Sequence, residues 1–255
     1  MIKKFIIGFL SLSILFNPFF GTSADAATKS GKEAFFYDLS SGKIIGIHPD
    51  RARQMYVWKS ASTIDAPEHK INGNTIRSEI NAAYKSWEDL PGSFIRVASE
   101  TTDWSSSTLR FYAMDFEVDT NGYVSEVKGK GKYPGVVAPI SNGKLCEQEG
   151  TGTETGRHYV ECATDRFDYV KIYINVAKML RDKKINSAYW SDDDIKGTIA
   201  HEIGHALGFV HQDANTDGKN GKGSIMIQTN YRDRIYGPTD LDRRNANFRF
   251  PDLIA

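Results

Sequence analysis

Cysteine is almost missing from this sequence: two residues, Cys146 and Cys162, in 255. That excludes a small disulfide-dense scaffold and any zinc module built on paired C-x-x-C knuckles. Net charge is missing as well, since Lys+Arg and Asp+Glu both count 32. The chain therefore offers no electrostatic case for a nucleic-acid partner or for a polybasic membrane surface. Beyond residue 20 no apolar run is long enough to cross a bilayer, and there is no internal repeat or low-complexity tract. What remains is 40% hydrophobic and 25% charged, enough for one sizeable core, arranged as one domain or as two lobes around a cleft.

The N-terminus stands apart. Lys3 and Lys4 precede an apolar run over 5–20, which ends in Gly21-Thr-Ser-Ala-Asp-Ala26. A basic start, a short apolar core and Ala24-x-Ala26 predict a secretory signal peptide over 1–26, cleaved before Ala27. A retained anchor is the alternative, but the run is short for a span and is broken by Asn17 and Pro18. The mature chain is expected to be secreted and extracellular, without stable membrane insertion. In an oxidising compartment Cys146 and Cys162 are expected to pair as a staple across the Gly/Thr-rich segment 147–156. A metal role for the pair has only His158 nearby to support it.

Residues 27–53 read as an N-terminal extension or a short pro-segment, with a small hairpin suggested around Ser40-Ser-Gly42. Residues 54–255 read as the main domain. Tyr56-Val-Trp-Lys59 reads as a strand, and Asn72-Gly-Asn74 as a helix start before Ile76, Ile80, Ala83, Tyr84 and Trp87 at helical spacing. Pro91-Gly92 stops that helix. Runs over 94–98, 109–118 and 170–176 look like strands, and Asn121-Gly122 marks a hairpin between 116–118 and 123–127. The fold class is α+β, a mixed sheet packed by helices.

The richest segment begins at Ser191, an N-cap followed by Asp192, Asp193 and Asp194 in the first turn, where the helix dipole favours anions. The helix is expected to reach about Leu207 and to end at Gly208. His201 and His205, four residues apart, project from one face and can bind one ion together. Gly208 lets the chain turn sharply and bring His211 back as a third nitrogen ligand. Three neutral imidazoles leave a fourth position open, which is the arrangement of a catalytic zinc site. Glu202 stands beside the ligands without being one, placed to act as a base. Chance alone would produce this extended pattern in roughly one chain in a hundred thousand.

His201-Glu-Ile-Gly-His-Ala-Leu-Gly-Phe-Val-His211 resembles the H-E-x-x-H-x-x-G-x-x-H signature of the metzincin metalloproteases, and Ser224-Ile-Met-Ile227 resembles their Met-turn. Pro238-Thr-Asp-Leu-Asp242 is similar to the start of the C-terminal helix of the matrixin-like branch, 76–87 to its first long helix, and Gly135-Val-Val-Ala-Pro139 to its substrate-binding edge strand. The resemblance implies a zincin of two lobes. The upper lobe would hold a mixed twisted sheet and long helices, and the small, mainly irregular lower lobe a C-terminal helix. It makes 54–255 a metalloprotease catalytic domain, Met226 a hydrophobic floor beneath the zinc, and Gly135, Val136, Val137 and Ala138 a strand that binds substrate. The chain departs from relatives of that family at Gln228, where some branches carry a zinc-reaching tyrosine, and at Gln212, where matrixins usually carry serine. It also lacks a cysteine-switch propeptide and the usual structural-zinc motif.

Two further features stay open. Asp213-Ala-Asn-Thr-Asp217-Gly218 opens like a calcium loop through Asp213, Asn215 and Asp217, yet Ser224 stands where the closing glutamate belongs, so a solvated turn is the alternative. Tyr231 lines the primed-side substrate pocket, hydrogen-bonds the tetrahedral intermediate, or is a packed core tyrosine. The expected activity is hydrolysis of protein or peptide substrates with Zn2+, Ca2+ being an optional second ion. The competing expectations are a zinc-bearing binding protein without turnover and a zinc hydrolase acting on a non-peptide substrate.

Overall fold

The computed structural model describes residues 30–119, 122–151, 158–212, 223–227 and 235–251. The expected signal peptide over 1–26, Gln228, Tyr231 and the calcium-type residues Asp213, Asn215 and Asp217 lie outside these described residues.

Buried and half-buried residues alternate along β11 (Tyr169–Ile174): Val170, Ile172 and Ile174 are buried, while Tyr169, Lys171 and Tyr173 face the other way. That period of two makes it a strand with one face in the core. The main sheet has six strands in the order β3 (Val97–Glu100), β2 (Met55–Lys59), β4 (Leu109–Ala113), β11, β7 (Gly135–Ser141) and β8 (Lys144–Leu145). The first four run parallel, whereas β7 is antiparallel to β11, with Gly135 opposite Ile174 and Pro139 opposite Val170. Since β8 meets β7 only at Ile140 and Ser141, no described strand pairs with the outer side of 135–138. Two smaller sheets join β1 (Tyr37–Asp38) to β10 (His158–Glu161) and β9 (Glu147–Thr151), and β5 (Phe116–Val118) to β6 (Val124–Glu126). The Cys146–Cys162 disulfide is formed, and it straps the β9–β10 hairpin to the end of β8.

Six α-helices and three short 3-10 turns complete the described chain, the α-helices being α1 (Pro49–Ala52), α2 (Ala61–Ile64), α3 (Arg77–Glu88), α4 (Val176–Ile185), α5 (Asp192–Ala206) and α6 (Asp240–Arg249). None is long and apolar enough to cross a membrane. α3 buries Ile80, Ala83 and Trp87, and Trp87 Nε1 donates to Ala200 O at 2.9 Å, tying α3 to α5. The resulting fold is α+β with a mixed sheet, as its alternation and helical spacing predict.

Four boundaries differ from the sequence reading, the first being the run over 170–176, whose strand ends at Ile174 because the Asn175 side chain caps α4 from Val176 onward. Asn72-Gly-Asn74 forms a tight turn, closed by reciprocal bonds between Ile71 and Asn74, because Asn-Gly accepts left-handed backbone more readily than a helix start; the helix begins at Arg77. The run over 109–118 breaks into β4 and β5 at Met114 and Asp115, where the Asp115 carboxylate turns inward to Arg181. In the run over 94–98 the strand starts only at Val97, since Phe94 N bonds Phe250 O at 3.0 Å and Ile95 is buried.

Residues 30–53 are interwoven with the main domain. Ala34, Phe35, Ile45, Ile47 and Ala52 are fully buried. Phe36 N donates to Gly208 O at 2.8 Å and Val210 N to Ala34 O at 2.9 Å, so this segment lies along the loop that leads to His211. Gly31 N also reaches Asn245 Oδ1 on α6 at 3.1 Å.

Candidate metal centre

The centre is built from the end of α5 and the two turns that follow it. α5 starts with a complete capping box: Asp194 N donates to Ser191 Oγ at 3.2 Å and Ser191 N to Asp194 Oδ2 at 2.8 Å. It stops where Gly208 takes φ +98°, a left-handed conformation that a residue with Cβ adopts only with strain. A Cβ at Gly208 would also run into the Ile45 carbonyl. The turn delivers His211 to the pair His201 and His205, and the three Nε2 atoms lie 3.1, 3.1 and 3.2 Å apart. This cluster could hold a metal ion, and no other such group of three occurs among the described residues.

The other ring nitrogens show why these imidazoles suit a metal. His201 Nδ1 is 2.7 Å from Ile225 O and His205 Nδ1 is 2.8 Å from Phe209 O. A carbonyl oxygen only accepts, so each Nδ1 carries a hydrogen and each neutral ring presents a bare lone pair at Nε2. Lone pairs converging at such distances repel one another until a cation sits among them. His201 and His205 are 6% and 7% exposed and His211 is half-buried. Water is therefore held away from two of the three donors.

The turn supplying the Ile225 carbonyl is itself fixed. Met226 N donates to Ser224 Oγ at 2.9 Å, and Gln212 N, next to His211, donates to Met226 O at 3.0 Å. The fully buried Met226 side chain fills the space over Gly204, between the two helical histidines: a Cβ there would lie 3.2 Å from Met226 Cε and 3.1 Å from Trp87 Cζ2. Asp242, in the first turn of α6, anchors the same turn from behind. It accepts from Ile225 N at 2.9 Å, Thr239 N at 2.8 Å, Thr239 Oγ1 at 3.0 Å and Ser224 Oγ. Burial raises the Asp242 carboxyl pKa above its ordinary value, against the pull of these bonds. Thr239-x-x-Asp242 is legible as a capping box; that its carboxylate also reaches the turn beneath the centre is not.

Glu202 is 7% exposed, and its carboxylate lies against the backbone of Gly135 at the start of β7. The structure thus brings the edge-strand residues 135–138 to the flank of the centre. Phe36, which sequence reasoning passed over, sets its ring 6.0 Å from that of His205 and 6.5 Å from that of His158. A scan of known protein families finds none that matches the chain, and a search of curated proteins finds no match either.

Proposed function

We propose that the protein is a secreted zinc-dependent endopeptidase of the metzincin type, nearest to the matrixin-like branch. The observation that carries the reading is the triangle of three Nε2 atoms beside a buried glutamate that is not one of its corners. Tetrahedral zinc with Zn–N distances of 2.0–2.1 Å would space its nitrogens about 3.3 Å apart, close to the 3.1–3.2 Å found. When bound, zinc would supply Lewis acidity, polarising a carbonyl oxygen and lowering the pKa of water.

The chain's own residues supply the rest. The Ile225 and Phe209 carbonyls hold the His201 and His205 rings in register. The outer side of 135–138, which no described strand pairs, offers main-chain groups to which an extended peptide adds as a further strand, and this favours a peptide over a compact non-peptide substrate. Glu202, beside Gly135, takes the proton of the attacking water at its carboxylate and returns it to the departing amine nitrogen. Residues 30–53 belong to the catalytic domain in this reading, so any maturation cleavage falls before them.

Glu202→Gln keeps the side chain's size and removes the base. Zinc content and the circular dichroism spectrum should match wild type while cleavage of a peptide library falls by at least about a hundredfold. A zinc-loaded wild-type protein that cleaves nothing in such a library would overturn the reading.

A further inference from the structure

A cavity of about 320 Å³ opens between the N-terminal segment, the turn at Asp165 and Arg166, and the end of α6. Its basic residues are Lys43, Arg166 and Arg249, with His48 beside them, and its one acid is Asp165. Asp165 is 3.7 Å from Lys43, with both side chains largely exposed, and His48 has Asp50 3.5 Å away. The excess of positive charge is therefore held mainly by Arg166 and Arg249.

Arg249 is the unusual member. Its guanidinium lies 5.4 Å from the ring centres of both Phe35 and Phe250, and its one hydrogen bond is a long one, Nη2 to Ile47 O at 3.4 Å. Nε is buried without a partner, and no carboxylate pairs with this side chain among the described residues. Burial pulls its pKa down to about 10, which still leaves it charged at neutral pH. Two other arginines are compensated by carboxylates: Arg181 by Asp115, Arg77 by Asp65 and Glu100. Arg110, 2% exposed, also leaves Nη1 without a partner, but it donates to Ser107 Oγ and Ser105 O and lies 3.4 Å over the Tyr169 ring, whereas Arg249 is half-buried and lines an open cavity. A desolvated cation without a counter-charge is unfavourable, and a partner that brings the missing charge is bound in proportion.

We infer that this cavity is an anion site that takes a tetrahedral oxyanion of the phosphate type. Arg249 would be its inner contact, and the exposed Lys43 and Arg166 would close on it from the rim. The planar guanidinium fork matches two oxygens of such a group. The two arginines, whose charge Asp165 leaves uncompensated when it pairs with Lys43, favour a dianion over a singly charged carboxylate. The volume is roughly ten times the share of one liquid water, so the group can arrive as free phosphate or as a monoester on a larger molecule. The site lies outside the metal centre and does not depend on peptidase activity.

Calorimetric titration of the mature chain at constant ionic strength tests this, with inorganic phosphate, glycerol phosphate and acetate as probes. Saturable one-to-one binding of phosphate, at least tenfold weaker binding of acetate, and a loss of at least tenfold in Arg249→Met are expected. Tighter binding of the ester identifies a monoester as the better occupant. Should Arg249→Met fail to fold, the surface pair Lys43→Gln and Arg166→Gln is expected to weaken phosphate at least fivefold with an unchanged circular dichroism spectrum. Absence of saturable binding, or binding that persists undiminished in these variants, overturns the inference. Since none of the variants touches the histidines or Glu202, this outcome is independent of whether the chain cleaves peptides.

Discussion

Gly135 and Glu202 are in direct apposition: a Cβ on Gly135 would stand 2.7 Å from Glu202 Oε1 and 2.9 Å from its Cγ. The backbone at Gly135 is ordinary strand, paired with Ile174, so the glycine is needed for space rather than for an unusual φ. The opposing group is the end of a flexible side chain and can swing away. Gly135→Ala should therefore fold normally, bind metal as wild type does, and lose at least about tenfold in peptide cleavage by displacing Glu202. Rates on a fluorogenic peptide together with metal analysis check this; full activity would show that Glu202 is not positioned by this contact.

In the proposed centre His211 would be the ligand on the turn, and the two helical histidines could not enclose an ion without it. His211→Ala should reduce zinc from one per chain to substoichiometric after dialysis, with the secondary structure retained. Elemental analysis decides, and full zinc retention would locate the third ligand elsewhere.

Removal of residues 1–47 should abolish cooperative folding, because it strips Ala34, Phe35, Ile45 and Ile47 from the core. The milder Phe35→Ala should cost about 3–5 kcal/mol, as expected for an emptied aromatic site. Denaturant melts of the two chains measure this, and a stable truncated protein would restore the pro-segment reading.

Asp115 links the β4–β5 break to α4. Although burial acts to raise its pKa, the Arg181 pair and the Gly129 N–H outweigh it and hold the carboxyl below its ordinary value of 3.8. A depressed folded-state pKa means that the unfolded chain binds the proton more readily. The contribution of Asp115 is thus present in full above the ordinary value and is lost as pH falls below it through the lowered one. Asp115→Asn should lose about 2 kcal/mol near neutral pH, and its deficit relative to wild type should shrink in acid. Urea melts at pH 7 and at pH 3 compare the two; a deficit that is the same at both would exclude the ionic account.

The zinc-type pattern was legible because His201, His205 and Gly208 act locally: a helical period and one left-handed residue fix where His211 must go. The alternation in β11 was legible for the same reason, and the Cys146–Cys162 staple because the chain has only two cysteines and an expected export signal. α4 was not anticipated, although Asn175, whose side chain accepts from Lys178 N at 2.8 Å, is a cap preceding Val176 and Met179 at helical spacing. The neighbouring β-run masked it. Contacts between distant segments left the weakest trace. Nothing local in Asp242 points to the turn at Ser224, and nothing in Phe36 points to His205.

The orientation of His201 rests on Ile225 and that of Ile225 on Asp242, while the N-terminal segment bonds the Gly208 loop and, across 214 positions, Asn245. Pairings of such sequence separation form late, since the entropy of closing long loops must be overcome first. In vectorial synthesis α5 emerges well before α6, so a nascent or prematurely ended chain carries its three histidines without the brace that aims the first of them. A chain that stops before α6 would thus hold all three proposed ligands and still lack the bonds that fix the Ile225 turn.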